Sequence, residues 1–190
     1  MILSILIPST YDRAEMLKTL LQELYKQINE CMASDEVEVL TLIDDKKMPT
    51  GTKRNLLLQK CTGKYSVFID SDDWVYEYYI KEILSAVQSD CDALGINGII
   101  TTNGGDLKQW FIAKDNPYRA AIINGKEVYL RYPNHITIIR TSISKQFMFP
   151  DVWSGEDYHW CTQIHQSGLI KTETIIEKPM YHYRYSTLNK

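Results

Sequence analysis

The fold is decided by the segment Tyr65-Ser66-Val67-Phe68-Ile69-Asp70-Ser71-Asp72-Asp73. The part before Asp70 is a short and largely apolar run, which is typical of a strand buried on both faces of a parallel sheet. Three carboxylates follow within four residues, at the point where the predicted strand ends. Carboxylates this close together repel one another unless a cation or hydrogen-bond donors neutralise them. The segment therefore predicts a buried strand that leads directly into a polar site.

The same pattern of a strand followed by a helix surrounds this segment. Further strands are predicted at Ile2–Ile7 and Val37–Ile43, and a helix is predicted after each strand. The apolar faces of these helices contain Leu17, Leu20, Leu21, Leu24 and Ile28, then Leu56–Leu58, and then Tyr76, Tyr79, Ile80, Ile83, Leu84 and Val87. Such alternation is typical of a doubly wound α/β fold with a mostly parallel central sheet.

The second half of the chain is less regular. The predicted elements are strands at Ala93–Thr101, Lys108–Ala113 and Ile136–Arg140, a helix from Gly155 to Gln166, and short strands at Ile170–Glu177 and Tyr181–Tyr185. Gly104-Gly105 and Asn124-Gly125 are turn signals that favour hairpins. Because no linker rich in proline or serine separates the halves, a single domain over residues 1–190 is predicted.

Composition narrows the class of protein. A chain of 190 residues and 22.1 kDa fits one ordinary domain. Its formal net charge of −3 argues against a broad electrostatic grip on nucleic acid. No apolar stretch is long enough to predict a membrane span or a signal peptide. The four widely spaced cysteines predict reduced thiols in a cytoplasmic protein rather than a disulfide framework or a zinc site.

Polar clusters follow each of the first three predicted strands. They are Pro8-Ser9-Thr10-Tyr11-Asp12, Asp44-Asp45 and the carboxylates from Asp70 to Asp73. In an open α/β sheet, ligands bind beyond the carboxyl ends of the parallel strands. Oxygen ligands of this kind suit Mg²⁺ or Mn²⁺. A polar turn in which Asp72 or Asp73 caps the next helix explains the third cluster equally well.

Two cations, Lys53 and Arg54, fall at the start of the second predicted helix. There they can meet the phosphates or the base of a nucleotide, helped by the helix N-terminus. A solvated basic turn is the alternative, above all for Lys53. The sequence lacks G-x-G-x-x-G after its first strand and lacks a P-loop motif, so a dinucleotide site and a P-loop NTPase are both disfavoured.

Taken in order, these motifs resemble those of nucleotide-sugar-dependent glycosyltransferases of the GT-A type, particularly small family-2-like members from bacteria and phages. The resemblance covers most of the chain and is carried by Ile7–Arg13, Leu42–Met48, Gly51–Asn55, Gly63–Trp74, Phe149–Asp151 and Gly155–Asp157. It implies a Rossmann-like three-layer sandwich. Residues 1–100 would bind the nucleotide-sugar, and residues 101–190 would face the acceptor.

The resemblance also implies roles for individual residues. Asp44 would accept a hydrogen bond from a uracil base, Asp70 would face the ribose, and Arg54 would approach the base or the phosphates. The full set of implied donor-binding residues is Pro8, Thr10, Tyr11, Asp12, Asp44, Lys53, Arg54, Asp70 and Ser71. Asp72 would hold Mn²⁺ or Mg²⁺ on the diphosphate, with Asp73 close by and His182 or Arg184 completing the site. An ordinary strand residue is the alternative for His182.

The Glu156-Asp157 pair matches the family motif whose aspartate is the general base in inverting members. Ser154 and Asp157 also have the spacing of a capping box, so the alternative is that Asp157 only caps a helix. His135 is a further residue that could face the acceptor. Because the Gln-x-x-Arg-Trp motif of processive synthases is absent, the resemblance implies transfer of one sugar per encounter.

The predicted activity is therefore metal-dependent, inverting and non-processive transfer from a uridine diphosphate sugar. The acceptor is left open between a glycan, a lipid-linked sugar, a protein hydroxyl and a modified base of phage DNA. A partner protein could supply acceptor binding, because little chain follows Asp157. One alternative is a catalytically silent module that binds a nucleotide-sugar or a glycan. A haloacid-dehalogenase-like phosphatase is a weaker alternative, because Trp74 stands where that family needs Thr or Val.

Overall fold

A computed structural model describes residues 1–187, so residues 188–190 of the predicted domain lie outside the described residues. The strands are β1 Leu3–Thr10, β2 Val37–Asp44, β3 Tyr65–Phe68, β4 Trp74–Val75, β5 Ala93–Thr102, β6 Gly105–Ile112, β7 Arg119–Ile123, β8 Lys126–Arg131, β9 Ile139–Arg140 and β10 Glu173–Tyr185. The α-helices are α1 Ala14–Glu30, α2 Thr50–Lys60, α3 Tyr79–Ala86, α4 Thr141–Ser144 and α5 Glu156–Ser167.

The strands form one continuous sheet in the order β2-β1-β3-β9-β5-β6-β8-β7, and β10 joins it by pairing with both β5 and β4. Strand β1 lies in the middle of a parallel trio, between β2 and β3. Antiparallel pairs follow at β3–β9 and β5–β6, which makes the second half mixed. The predicted α/β class, with a parallel first half and a less regular second half, is confirmed.

Helices cover both faces of this sheet. Successive side chains of a strand point to opposite faces. Ile5 and Ile7 of β1 therefore join the apolar cluster that contains Leu20 and Leu24 of α1 and residues of α3. Leu6, between them, joins the cluster formed with α2 and α5 on the other face. The predicted three-layer sandwich is confirmed. None of the helices within residues 1–187 has the length and apolar character needed to cross a membrane.

The second half differs from the prediction at several places, among them β9, which covers Ile139–Arg140 instead of Ile136–Arg140, and α4, which the sequence does not predict. Ile170–Glu177 and Tyr181–Tyr185 were expected to be separate strands, but β10 runs through both, with irregular register on either side of Pro179. Proline has no backbone N–H for the ladder, which accounts for the irregularity. Strands β7 and β8 are not predicted by the sequence, because four of the five residues of β7 are exposed and β8 has a single buried residue, so neither gives an apolar alternation. The hairpin turn between them, at Asn124-Gly125, is confirmed, and both residues have positive φ.

Gly98 lets β5 lie between β6 and β10. A Cβ atom at this position would overlap the carbonyl oxygen of Tyr181 and the indole ring of Trp110. Tyr181 is fully buried, and Trp110 is 6% exposed, so neither group can move without disturbing the core. The absence of a side chain at Gly98 therefore lets β5 pack closely between β6 and β10.

We expect Gly98→Ala to destabilise the fold by about 1–3 kcal/mol, because overpacking forces neighbouring groups out of place. In thermal unfolding this corresponds to a fall in Tm of roughly 2–4 °C for each kcal/mol in a chain of this size. Gly105→Ala is the matched control, since a Cβ there meets only the Thr102 carbonyl oxygen, at 3.9 Å. Equal Tm values for the two variants would show that the β5–β10 contact is not tight.

Candidate active site

The carboxyl ends of β1, β2 and β3 bring the predicted polar clusters together at one edge of the sheet. Thr10 lies opposite Asp44 in the β1–β2 register. The backbone N–H of Ile69 donates to the Leu6 carbonyl at 3.1 Å, which carries β1 and the start of the carboxylate cluster side by side to this edge. Ser71, which is 1% exposed, hydrogen-bonds Ser9 at 2.9 Å. Ser71 therefore ties the turn to β1 in this structure, and its predicted contact with a donor stays a prediction.

A cavity of about 660 Å³ opens at this edge. It is lined by Pro8, Ser9, Thr10, Asp12, Arg13, Met16, Lys46, Thr50, Lys53, Asp70 and Trp153. We call it the strand-end cavity. Tyr11 does not line it: the ring lies along a groove on α1 and is 64% exposed. Of the two residues predicted to meet a base, the structure places Thr10 at the cavity and Tyr11 away from it.

A second cavity of about 670 Å³ adjoins the first. Its lining includes Asp70, His135, Glu156 and Asp157, together with residues of β5, β6 and β8. We call it the sheet-extension cavity. Arg13, Thr50, Asp70 and Trp153 line both cavities, so the two spaces meet at these residues.

Lys53 is buried, with 3% of its surface exposed, and its ammonium group forms an ion pair with Asp44 and donates to the Ser9 carbonyl at 2.9 Å. Asp44 also accepts hydrogen bonds from the backbone N–H groups of Lys47 and Met48, at 2.8 and 2.7 Å. Burial alone would raise the pKa of Asp44, but these donors lower it. The interpretation of Lys53 as a solvated residue is wrong, and the lysine joins the ends of β1 and β2.

Arg54 is buried even more completely, at 2% exposure. Its Nη2 donates to Asp70 at 2.7 Å, and its Nε donates to Glu156 at 3.0 Å. The guanidinium also lies 5.2 Å from the ring centre of Phe68. Two of its nitrogens therefore bind carboxylates from the turn after β3 and from α5, and Arg54 also lines the sheet-extension cavity. Its approach to a base or a phosphate stays a prediction. Burial alone would raise the pKa of Asp70, but Arg54 and His135 lower it far below its usual range.

The three predicted metal ligands are in different environments. Both oxygens of Asp72 contact the terminal nitrogens of Arg13, at 3.0 Å each, and its side chain is 28% exposed. Asp73 is 3% exposed and accepts hydrogen bonds from the Tyr181 hydroxyl and the Arg184 backbone, both at 2.7 Å. Burial raises the pKa of Asp73 well above its usual range, and nearby Asp70 adds to the effect.

The remaining predicted ligand, His182, has its Nε2 atom 2.8 Å from the Thr101 hydroxyl. Within residues 1–187, no group of three His, Cys, Asp or Glu side chains is arranged to hold a metal. The predicted set of Asp72, Asp73 and His182 is therefore not assembled. Mg²⁺ commonly binds one or two carboxylates together with substrate phosphates, and Asp72 offers one carboxylate, both oxygens of which contact Arg13 in this structure.

The capping alternatives are also resolved by the structure. The strand β4 separates Asp72 and Asp73 from α3, which has no side-chain cap. At α5 the N-cap residue is Gly155, with φ of 81°, and no side chain caps the helix. Asp157 therefore does not act as the cap that its spacing from Ser154 suggests, and its carboxylate belongs to the sheet-extension cavity.

His135 joins the two sides of the site. Its Nε2 lies 3.3 Å from Asp70 Oδ2, and its Nδ1 lies 3.4 Å from Asp157 Oδ2, an ion-pair contact whose geometry falls short of a hydrogen bond. Burial and Arg54 lower the pKa of His135, but the two carboxylates outweigh them and raise it to about 9. Burial would raise the pKa of Asp157, but His135 and Arg54 lower it to about 2.

Comparisons with known proteins identify the family of the chain. A sequence model of the family described as glycosyl transferase family 2 matches residues 50–147. No curated protein sequence matches the chain.

Among solved structures, S. aureus TarS matches with a TM-score of 0.66 and 17% identity over 97% of this chain and 37% of that one. The 1–349 fragment of S. aureus TarS in complex with UDP matches with a TM-score of 0.65 and 17% identity, over 98% of this chain and 61% of that one. The same fragment in complex with UDP-GlcNAc matches with a TM-score of 0.60 and 17% identity, over 97% of this chain and 58% of that one. The chain thus spans between about a third and three fifths of these neighbours, and the likeness shows the fold.

Replacing the buried cation tests the centre of the site. We expect Arg54→Met to lower the free energy of unfolding by about 3–5 kcal/mol, because Asp70 and Glu156 are then left without their shared partner. Urea unfolding measures the loss. Arg13→Met is the control, since its ion pair with Asp72 is partly exposed and should contribute at most about 1 kcal/mol. A loss for Arg54→Met no larger than that of the control would contradict this account.

Proposed function

The chain belongs to glycosyl transferase family 2, and from this we propose that it moves one sugar at a time from a uridine diphosphate sugar to an acceptor hydroxyl, with inversion at the anomeric carbon. The observation that carries the proposal is the meeting of two cavities at Asp70, with Asp157 on the far side of the junction. A donor in the strand-end cavity presents its sugar at that junction. An acceptor in the sheet-extension cavity then lies beside Asp157.

The donor side is assigned to residues 1–100 of one domain. Pro8, Thr10 and Asp12 line the strand-end cavity, where we place the base and the ribose. We also assign recognition of the uracil imide N–H to Asp44, which lies opposite Thr10 at the end of β2 and does not itself line the cavity in this structure. Structures of S. aureus TarS 1–349 with UDP and with UDP-GlcNAc support a uridine nucleotide as the first choice.

Asp157 serves as the general base in this proposal. Its carboxylate takes the proton from the acceptor hydroxyl as the oxygen attacks the anomeric carbon and the bond to the diphosphate breaks. A base must be ionised to do this, and the low pKa of Asp157, caused by His135 and Arg54, keeps it so. The N-terminus of α5 favours the same charged state. Glu156, which is 5% exposed and bound to Arg54, acts indirectly by fixing that arginine.

Positive charge is also needed at the departing diphosphate. A Mn²⁺ or Mg²⁺ ion held by Asp72 and the phosphate oxygens would supply it. For the chain itself, this requires that the Asp72 carboxylate exchange its contact with Arg13 for that role. Arg13 lines both cavities, so its guanidinium then remains close to the phosphates.

The acceptor side is assigned to residues 101–190. The sheet-extension cavity is lined by the rings of Tyr118, Tyr129 and Tyr183, and the Arg131 guanidinium lies 4.1 Å from the Tyr118 ring centre. Tyrosine combines a flat apolar face with a hydroxyl group, which suits the faces and edges of a sugar. Of the acceptors left open by the sequence, these side chains favour a glycan or a lipid-linked sugar. Acceptor binding by a partner protein stays a prediction.

The proposal is tested by incubating the chain with a panel of nucleotide-sugars, Mn²⁺ and simple sugar acceptors, and measuring released nucleotide and transferred sugar. We expect a uridine diphosphate sugar to be used best. Asp157→Asn should lower the transfer rate about 10²–10⁴-fold, since an alcohol is a poor nucleophile without its base. Its Tm and its affinity for uridine diphosphate should stay near wild type. Nucleotide binding without any turnover in the wild type would favour a catalytically silent binding module instead.

A separate measurement tests Asp72. We expect Asp72→Asn to abolish the Mn²⁺-dependent part of uridine diphosphate affinity, because one neutral amide oxygen replaces the charged ligand. Isothermal titration calorimetry with and without Mn²⁺ reads this directly. Asp35→Asn, in an exposed turn, controls for the loss of one negative charge. Undiminished metal-dependent affinity in Asp72→Asn would remove this residue from the proposed site.

A further inference from the structure

We propose that His135 is a positioning residue for the transfer: it links the donor-side carboxylate of Asp70 to the Asp157 base and leaves Asp157 Oδ1 for the acceptor hydroxyl. The proposal rests on the function proposed above. It assigns a task to a residue that the sequence placed only in front of the acceptor.

His135 is held in place by a hydrogen bond to its own backbone. Its carbonyl accepts a hydrogen bond from the Phe68 N–H at 3.0 Å, which ties the loop before β9 to β3. The neighbouring Asn134 organises the same loop, because its Oδ1 accepts from the Ile136 N–H at 3.2 Å. The side chain is 11% exposed. The imidazole is therefore a fixed part of the wall of the sheet-extension cavity.

The imidazole ring of His135 lies between two carboxylates. Each ring nitrogen faces a carboxylate oxygen, Asp70 Oδ2 at 3.3 Å and Asp157 Oδ2 at 3.4 Å. Only an imidazolium carries a proton on both nitrogens and attracts both carboxylates at once. The Arg54 guanidinium opposes this charge, and the paired carboxylates outweigh it, which agrees with the raised pKa of His135.

Other titratable groups also face the base. Tyr118 and Tyr183 lie near Asp157, and burial raises the pKa of both hydroxyls, so they remain neutral beside it. His135 is therefore the charged group that contacts Asp157 directly, and Arg54 acts on it from further away.

The charged side chains that connect His135 to α5 form a closed ring. Glu156, Arg54, Asp70, His135 and Asp157 alternate in sign, each one in contact with the next. The two ends, Glu156 and Asp157, are adjacent residues in the first turn of α5. A shift of Asp157 in either direction therefore stretches an ion pair, which fixes the base relative to the donor-side Asp70.

In the proposed reaction, Asp157 accepts the proton of the acceptor hydroxyl. The acceptor O–H bond breaks and its proton passes to Asp157 Oδ1, while His135 keeps both of its protons. The acceptor oxygen bonds to the anomeric carbon, and the bond to the nucleoside diphosphate breaks, with the electron pair leaving on the diphosphate. His135 touches neither substrate and acts through Asp157.

An NMR titration of the histidine imidazoles in the full-length chain tests the pairing without any substrate. The signals of His135 are assigned by their loss in His135→Gln. We expect His135 to stay protonated well above the ordinary midpoint of about 6.5, and to lose its proton near pH 9. The midpoint should fall in Asp157→Asn. A midpoint at or below the ordinary value, or one that does not move in Asp157→Asn, would overturn the proposal.

A rate measurement tests the consequence for transfer. His135→Gln should lower the turnover rate by roughly 10²-fold, because a displaced reacting group costs about that much. Its affinity for uridine diphosphate should stay within a few-fold of wild type. The acid limb of its pH–rate profile should move to higher pH, since Asp157 loses the cation that lowers its pKa. His159→Gln, an exposed residue of α5, should match the wild type.

The outcomes separate the two proposals. A slower His135→Gln enzyme with an unchanged profile and a lowered Tm would mean that His135 is only structural. A wild-type chain that transfers no sugar, while the NMR titration confirms the Asp157 contact, would refute the proposed function and leave the ion pair as a fact of the fold.

Discussion

The buried guanidinium of Arg54 is the interaction on which the rest of the site depends. A charge that is taken out of water must be paired, and its partners must be held close enough to offset the loss of hydration. Arg54 meets this requirement with carboxylates from two distant parts of the chain, Asp70 after β3 and Glu156 at the start of α5. Helix α5 is therefore fixed at the sheet edge by its first residue, and Asp157 follows at the next position. The place of the proposed base is a consequence of the pairing of its neighbour.

The adjacent Lys53 repeats the same device at the next strand. It pairs with Asp44 of β2, while Arg54 pairs with Asp70 after β3, so one turn of α2 secures the carboxyl ends of two strands. Charges nearer the solvent behave differently. Arg13 with Asp72 and Lys46 with Asp12 are ion pairs at the surface, where water screens them and exchange of partners costs little. The buried pairs thus define the shape of the site, and the exposed pairs are the ones a charged ligand can displace.

The sequence predicted the strands and helices better than it predicted the surroundings of Lys53 and Arg54. Apolar runs such as Tyr65–Ile69 and the helical spacing of Leu17, Leu20 and Leu24 reflect burial directly, so β3 and α1 were found. Strands β7 and β8 have one buried residue between them, so their sequences show no such pattern.

Partners from distant parts of the chain explain most of the misplaced side chains. The residues next to Lys53 and Arg54 in the sequence do not indicate whether these side chains are buried in a network of ion pairs or exposed to solvent. The sequence predicts Asp73 as a metal ligand. In the structure its carboxylate accepts a hydrogen bond from the hydroxyl of Tyr181, which lies 108 residues later in the chain. The positions of the carboxylate clusters could be predicted from the sequence, whereas the hydrogen-bond and ion-pair partners of each carboxylate could not.

One hydrogen-bonded sheet contributes to the walls of both cavities, from β1 at the strand-end cavity to β5, β6 and β8 at the sheet-extension cavity. Gly98 lets β10 and the Trp110 ring of β6 pack closely against β5 in this sheet. For a reaction between two bound molecules, much of the barrier lies in bringing them into a fixed relative orientation. Here the distance between the two binding spaces is a property of the fold, established once when the chain folds. The walls that would align two bound molecules are thus ordered once, when the chain folds, and each molecule loses its own translational and rotational freedom only when it binds.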